Sequence, residues 1–118
     1  MRPSGYDLYH RTMSMMTAET AALRRTIDEH RQELVEVLHQ YGASNPRLFG
    51  SVARGDATEN SDIDVIVDLN AGGGSVLLRL GGITEGFRQA LNHPVDVVSS
   101  EILRDSVHST AMTDAVAL

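Results

Sequence analysis

Asp62 and Asp64 stand one residue apart at the start of the apolar stretch SDIDVIVDL, residues 61–69. In a strand, side chains alternate, so both carboxylates would point to one face with their Cα atoms about 6.5 Å apart. That spacing suits two carboxylates that converge on one or two cations, and oxygen ligands favour Mg²⁺ or Mn²⁺ over zinc. A bare pair of this kind is more often a solvated strand face, so the pair alone does not establish a metal site.

A third acid strengthens the metal-site interpretation. Asp96 lies in the stretch HPVDVVS, residues 93–99, which is a second candidate strand. If the two strands pair, the carboxylate of Asp96 can face the same site as Asp62 and Asp64. Asp68 shares the strand face of Asp64 but lies about 13 Å further along it. We therefore expect Asp68 to be a solvated charge at the strand end and not a metal ligand.

The pair Gly50 and Ser51 stands just ahead of the aspartates. Glycine permits backbone conformations that are closed to other residues. We expect Ser51 to cap a short helix, so that free N–H groups and its hydroxyl face an anion such as a triphosphate. Arg54, one turn on, could add positive charge. Two alternatives stay open, because a Gly-Ser pair is commonly a plain turn and Arg54 could instead pair with Asp56 or Glu59.

The hydrophobic pattern along the chain alternates between helical and strand periods. It predicts helices from Thr17 to Tyr41, from Ser75 to about Asn92 and onward from Ser100, and strands over residues 47–49, 62–69 and 94–99. Strands separated by helices predict an α/β (α+β) fold with a small mixed β-sheet flanked by helices. In such a fold the two longer strands can carry their acids side by side.

Size and composition exclude several classes of protein. From 118 residues we expect one domain, residues 17–118, after a loose N-terminal arm, residues 1–16, in which Met13, Met15 and Met16 offer alternative starts. A net charge of −6 argues against direct nucleic-acid binding, and the absence of cysteine excludes disulfides, zinc–thiolate sites and thiol catalysis. We expect a cytoplasmic protein, because no cysteine is used and no apolar run approaches the roughly 18 residues of a membrane span.

Taken together, the motifs resemble a known family. The residues Gly50-Ser51, Ala53-Arg54-Gly55 and Ser61-Asp62-Ile63-Asp64 resemble the signature of the polymerase-beta-type nucleotidyltransferases. Within that superfamily, the strings GSVARGDATENSDIDVIV and HPVDVV are similar to the minimal nucleotidyltransferase (MNT) antitoxin group, over about residues 20–118. The resemblance implies a polymerase-beta-like nucleotidyltransferase fold.

The resemblance also implies a reaction. In the family, two Mg²⁺ ions bind a nucleoside triphosphate, an acceptor hydroxyl attacks the α-phosphate, and pyrophosphate leaves. By this resemblance Asp62, Asp64 and Asp96 would ligate the metals, and Asp96 would also help to remove the proton of the acceptor. Gly50 and Ser51 would hold the β- and γ-phosphates, with ATP as the expected donor of AMP.

The acceptor is expected to come from a partner, because the 22 residues after Asp96 leave no room for a second domain. In the MNT group the partner is usually a HEPN-type toxin, so the resemblance favours an antitoxin that transfers AMP to a hydroxyl of that toxin. Two rivals stay open at this point. One is an antitoxin that neutralises its toxin by binding alone, and the other is a nucleotidyltransferase for small molecules such as aminoglycosides.

Overall fold

The structure is a computed structural model that describes residues 16–105 and 115–118. The helices are α1 (Ala18–Glu29), α2 (Arg31–Gln40), α3 (Gly50–Arg54), α4 (Val76–Leu91) and α5 (Ser100–Asp105), and the strands are β1 (Ala43–Phe49), β2 (Ile63–Leu69), β3 (Val95–Ser99) and β4 (Val116–Ala117). Apart from its last residue, the expected N-terminal arm lies outside the described residues. No helix in the described ranges is both long and apolar enough to cross a bilayer.

The four strands form one mixed sheet in the order β3-β2-β1-β4. Strands β2 and β3 are parallel, whereas β1 runs antiparallel to both β2 and β4. The mixed sheet with helices confirms the fold class expected from the sequence. The parallel register sets Ile63 beside Val95 and Asp64 beside Asp96, so the first residues of β2 and β3 lie side by side.

One face of the sheet packs against the helices. The buried cluster on that face draws on β2, β3, β1 and the two helices α2 and α4, and it includes Ile63, Val65, Val67, Val97, Leu48, Leu34, Leu38, Ile83 and Phe87. Because side chains alternate along β2, the residues between its core positions, Asp64, Ile66 and Asp68, point to the opposite face. The packing of the core therefore fixes which face carries Asp64.

The first long helix is interrupted, which corrects the single helix expected from Thr17 to Tyr41. Helix α1 ends at Glu29 and α2 begins at Arg31, with His30 at φ −112° and ψ 16° between them. The Nδ1 atom of His30 lies 2.8 Å from the carbonyl oxygen of Thr26, so the ring takes part in the helix end. The apolar stripe could not reveal the break, because its residues stay buried on both sides of it.

Strand β1 is longer than the expected three residues and begins at Ala43. Its pairing with β2 shifts between Ser44 and Arg47, where Asn45 takes a φ of 52°. Proline cannot donate a ladder hydrogen bond, and such a shift lets Pro46 stay within a strand. The carbonyl of Pro46 in turn accepts a hydrogen bond from the N–H of Leu118, next to β4. Strand β4 itself was not predicted from the sequence.

Asp68 is not the solvated charge that the sequence suggested. Its carboxylate accepts hydrogen bonds from Ser100 Oγ (2.6 Å), Arg47 Nη2 (3.0 Å) and Asn45 Nδ2 (3.1 Å). These bonds, that of Ser100 first, lower the pKa of Asp68 to about 2. The expectation was wrong because the three donors come from β1 and from the start of α5, far away in sequence. Asp68 therefore joins α5 to the sheet.

Helix α4 matches its prediction closely, with Ser75 as the N-cap and Asn92 after its last turn. Two of its glycines face α2: a Cβ on Gly82 would overlap the ring of Tyr41, and one on Gly86 would lie 2.8 Å from Val37 Cγ1. At the base of α4 the buried Arg79 donates to the carbonyl oxygens of Tyr41, Asn70 and Gly42. Glycines and Arg79 together allow α4 to lie close to α2.

The neighbouring glycines of α4 offer a matched test of this packing. Gly81 faces open space, so Gly81→Ala should stabilise the protein by about 0.5–1 kcal/mol through helix propensity. Gly82→Ala gains the same propensity but displaces the Tyr41 ring, and overpacking costs about 1–3 kcal/mol, so we expect net destabilisation. Urea unfolding of both variants measures the difference. Equal stabilisation by the two alanines would contradict the close approach of α4 to α2.

Candidate active site

Three carboxylates gather at the amino ends of the parallel strands β2 and β3. Asp64 and Asp96 are directly paired in register, and Asp62 immediately precedes β2. The side chains of Asp62 and Asp96 are exposed, whereas Asp64 is half-buried. The structure therefore brings the three predicted acids to one end of the sheet, on adjacent strands as the sequence required.

The carboxylate of Asp64 carries an uncompensated charge. Its pKa is raised to about 6, first by burial and then by the negative charges of Asp96 and Asp62. The charge of Arg54 opposes this shift only in part. In contrast to Asp68, no hydrogen bond from a described residue reaches Asp62, Asp64 or Asp96. A bound cation would relieve both the repulsion and the lost solvation.

The chemistry of these side chains suits a hard cation, since three carboxylates supply the oxygen ligands that Mg²⁺ prefers. As the side chains stand, however, no group of three or more His, Cys, Asp or Glu in the described residues is arranged to hold a metal ion. The acids are thus close enough to raise the pKa of Asp64, but their carboxylate oxygens do not converge on one metal position. Binding of a metal would require their side chains to turn toward one another.

The backbone conformation at position 50 and the nearby carboxylate of Asp64 both favour glycine at this position. Gly50 has a φ of 70°, and a Cβ at this position would overlap the Oδ2 atom of Asp64. The preceding residue, Phe49, is the register partner of Asp64 on β1, so the end of β1 delivers Gly50 to the carboxylate. The glycine that the sequence placed ahead of the acids therefore lies against one of them.

Ser51 does not cap the short helix, which corrects the expectation from the sequence. Helix α3 begins at Gly50, and its N-cap is Phe49, whose side chain makes no capping hydrogen bond. The physical reason is that β1 pairs with β2 as far as Phe49, so the turn into the helix falls on Gly50 and Ser51 is already inside it. Ser51 remains half-buried beside Gly50.

Arg54 pairs with Asp56, which was one of the alternatives left open by the sequence, and it also lies near the acids of the site. Its Nε lies 3.3 Å from Asp56 Oδ2 in an exposed ion pair. Exposed pairs of this kind contribute little to stability, so the side chain can exchange partners at small cost. The charge of Arg54 also lowers the pKa of Asp64, which places it within electrostatic reach of the site.

Two further residues support the site, and sequence reasoning missed both. His93 Nε2 lies 2.8 Å from the carbonyl oxygen of Ser61, and the Ile63 N–H donates to the Pro94 carbonyl, so the segments ahead of β2 and β3 are joined. Arg24 of α1 contacts α3. The position of His93 ahead of Asp96 was a usable signal, whereas nothing in the sequence connects Arg24 to a helix 28 residues away.

Comparisons with known proteins agree with this arrangement. A family model described as a nucleotidyltransferase domain matches residues 27–118. The chain is 30% identical over 104 residues to the protein adenylyltransferase MntA of Thermococcus cleftensis. This alignment covers 88% of this chain and 98% of MntA. The chain is 29% identical over 90 residues to a candidate protein adenylyltransferase of Methanocaldococcus jannaschii, covering 76% of this chain and 95% of the relative.

A solved structure is similar as well. The structure of a candidate minimal nucleotidyltransferase superposes with a TM-score of 0.67 at 31% sequence identity. The match covers 80% of this chain and 94% of the other. The resemblance to the minimal nucleotidyltransferases that was noted in the sequence is thereby confirmed in sequence and in fold.

Substitution of Gly50 tests its contact with Asp64. Gly50→Ala would strain a left-handed backbone and displace the Asp64 carboxylate, so we expect nucleotide transfer to fall by about a hundredfold, as misplacement by 1 Å can cause. Gly72→Ala is the matched control, because Gly72 has a φ of 80° but nothing near its missing Cβ. Both variants should lose thermal stability through backbone strain, and Gly50→Ala should lose more because only its Cβ meets another side chain. Equal activity of the two would contradict the contact.

The raised pKa of Asp64 predicts a pH dependence of stability. Between its ordinary value of 3.8 and about 6, the folded state binds more protons than the unfolded state, so the stability of the metal-free protein falls as the pH rises. Asp64→Asn removes this ionisation. It should raise Tm by a few degrees above pH 6 and change it little near about pH 3, where the Asp64 carboxyl is mostly protonated in both the folded and the unfolded state. Thermal denaturation at several pH values measures this, and parallel Tm curves for the two proteins would contradict the raised pKa.

Proposed function

The chain belongs to the nucleotidyltransferase domain family, and from that premise we propose that it is a protein adenylyltransferase that acts as the antitoxin of a toxin–antitoxin pair. That it is an enzyme, a nucleotidyltransferase of the minimal type, follows from its family and its relatives. The proposed donor is ATP and the proposed acceptor is a hydroxyl of a HEPN-type toxin. The observation that carries the proposal is the pairing of Asp64 with Asp96 beside Gly50.

Asp62, Asp64 and Asp96 would hold two Mg²⁺ ions. When bound, the ions would neutralise the phosphates and the charge that develops during transfer. The half-buried Asp64, raised in pKa and without a hydrogen-bond donor among the described residues, is the strongest candidate ligand. Asp62, just ahead of β2, and Asp96, on the paired strand, are both exposed and would turn toward the same ligand.

Gly50, Ser51 and Arg54 would bind the triphosphate. Gly50 lets the backbone approach the Asp64 carboxylate, so phosphates held by this backbone would lie next to the acids. Arg54 would exchange its exposed pairing with Asp56 for the phosphates. These contacts would orient the α-phosphate toward the acceptor.

In the proposed reaction the acceptor hydroxyl oxygen bonds to the α-phosphorus, and the bond from that phosphorus to the bridging oxygen of the β-phosphate breaks. AMP is thereby attached to the acceptor, and pyrophosphate leaves with the electrons of the broken bond. Asp96, exposed at the edge of the site, would accept the proton of the hydroxyl. Positioning and charge neutralisation would supply most of the rate enhancement, as in other phosphoryl-type transfers.

Two observations favour a protein as acceptor. The acids lie at an exposed end of the sheet, which a hydroxyl on another protein can reach. Both curated relatives are named for adenylyl transfer to protein. The choice of a HEPN-type toxin rests on the resemblance of the sequence motifs to the MNT antitoxin group.

The test incubates this protein with ATP, Mg²⁺ and the product of the neighbouring gene, which is the proposed partner, and then measures the mass of that product. We expect a gain of one or more AMP units. The double variant Asp62→Ala, Asp64→Ala should slow transfer by about a thousandfold, because it removes several kcal/mol of charge stabilisation. Asp68→Asn is the matched control, since it removes an acid of the same strand outside the site and should transfer normally.

Each negative result selects a different alternative. A stable complex without AMP transfer would overturn the enzymatic antitoxin in favour of neutralisation by binding alone. Neither transfer nor complex would overturn the protein acceptor and would favour a small-molecule acceptor. Transfer that survives in the double variant would overturn the assignment of the two acids.

A further inference from the structure

Helix α3 is too short to be stable on its own, although it carries Gly50, which contacts Asp64. It has five residues, too few for a helix that is stable on its own. Its last carbonyl groups have no partners within the helix and need donors from elsewhere. Gly55 ends it in the left-handed conformation, with its N–H donating to the Ser51 carbonyl. The position of α3 must therefore be set by contacts from outside.

Arg24 of α1 supplies these contacts. Its Nε and Nη2 atoms donate to the Val52 carbonyl oxygen at 3.2 and 2.9 Å, and Nη2 also donates to the Ala53 carbonyl oxygen at 2.9 Å. A guanidinium holds its donors in a fixed fork, so it fixes direction as well as distance. Its positive charge also lies at the carboxyl end of the helix, where a cation is favourable.

The start of α1 continues this attachment beyond α3. The N–H of Thr17 donates to the Gly55 carbonyl at 2.9 Å, and its hydroxyl donates to the Ala57 carbonyl at 2.6 Å. The N–H of Ala57 donates to the hydroxyl of Thr20, which is fully buried, at 2.9 Å. Arg24 is distinct among these residues because it alone bonds to carbonyl groups within α3 itself.

The opposite end of α3 lies at Asp64. Gly50 approaches the Asp64 carboxylate so closely that no Cβ fits, and Val52, whose carbonyl Arg24 holds, is fully buried two residues on. A shift of α3 by a fraction of an ångström would therefore change the distance between Gly50, Ser51 and the acids. We infer that Arg24 is a positioning residue that sets the affinity of the site for the nucleoside triphosphate.

This inference rests on the proposed function and adds to it a residue outside the motif. Arg24 does not have to touch the nucleotide. It would act through α3, so its loss should weaken nucleotide binding more than it weakens folding. The neighbouring Arg25 is exposed and serves as a matched control of equal charge.

The experiment measures the dissociation constant of a fluorescent ATP analogue in the presence of Mg²⁺, without any acceptor. Arg24→Gln should weaken binding about tenfold, because part of the binding free energy would then be spent on ordering α3. Arg24→Lys, which keeps the charge but loses the planar fork, should recover only part of the affinity. Arg25→Gln should bind as the unmodified protein does.

A comparison variant separates positioning from stability. Thr20→Val removes the hydroxyl that receives the Ala57 N–H, so it should lower Tm at the same junction without changing nucleotide affinity. Equal weakening of binding by Thr20→Val and Arg24→Gln, in proportion to lost Tm, would overturn the inference. Unchanged binding by Arg24→Gln would overturn it as well and leave the proposed function intact.

The same data keep the two proposals apart. Tight analogue binding that depends on Arg24, together with failure of AMP transfer to any partner, would overturn the proposed function and support the positioning role. An unmodified protein that does not bind the analogue would overturn the proposed nucleotide donor and the inference with it.

Discussion

The parallel pairing of β2 with β3 is the constraint on which the site depends, because it holds acids together that repel each other. The pairing is set by core residues such as Ile63, Val65 and Val97 on the buried face. A slip by one residue would turn Asp64 and Asp68 into the core, so the register is strongly specified. The burial of apolar side chains on one face of the sheet thus offsets the repulsion between the carboxylates on the other face.

A second set of contacts positions the backbone that approaches these acids. Strand β1 ends at Phe49, next to Gly50. Arg24 of α1 holds α3, and the threonines at the start of α1 hold the segment that follows α3. None of the contacts made by α1 involves an acid of the site. Helix α1 therefore takes part in the chemistry only indirectly, through the place it gives to α3.

Features that depend on local periodicity could mostly be predicted from the sequence. The alternation in β2 and β3 predicted that Asp64 and Asp96 could face one site if the strands pair, and the start of a helix at Ser75 was predicted as well. Long-range contacts decided what was missed: the pairing of β1 as far as Phe49 moved Ser51 inside α3, and the shift around Pro46 lengthened β1. The break at His30 was hidden because the apolar stripe continues across it.

Asp64 and Asp68 show how two aspartates on one strand can differ in role because their surroundings differ. Both lie on the same face of β2, yet donors from Ser100, Arg47 and Asn45 surround Asp68, and its pKa falls to about 2. Asp64 has no such donors among the described residues, and burial beside Asp96 raises its pKa to about 6. An acid already paired with a cation would have little affinity left for a metal. Leaving Asp64 unpaired costs stability in the free protein, and that cost keeps the carboxylate available for a ligand.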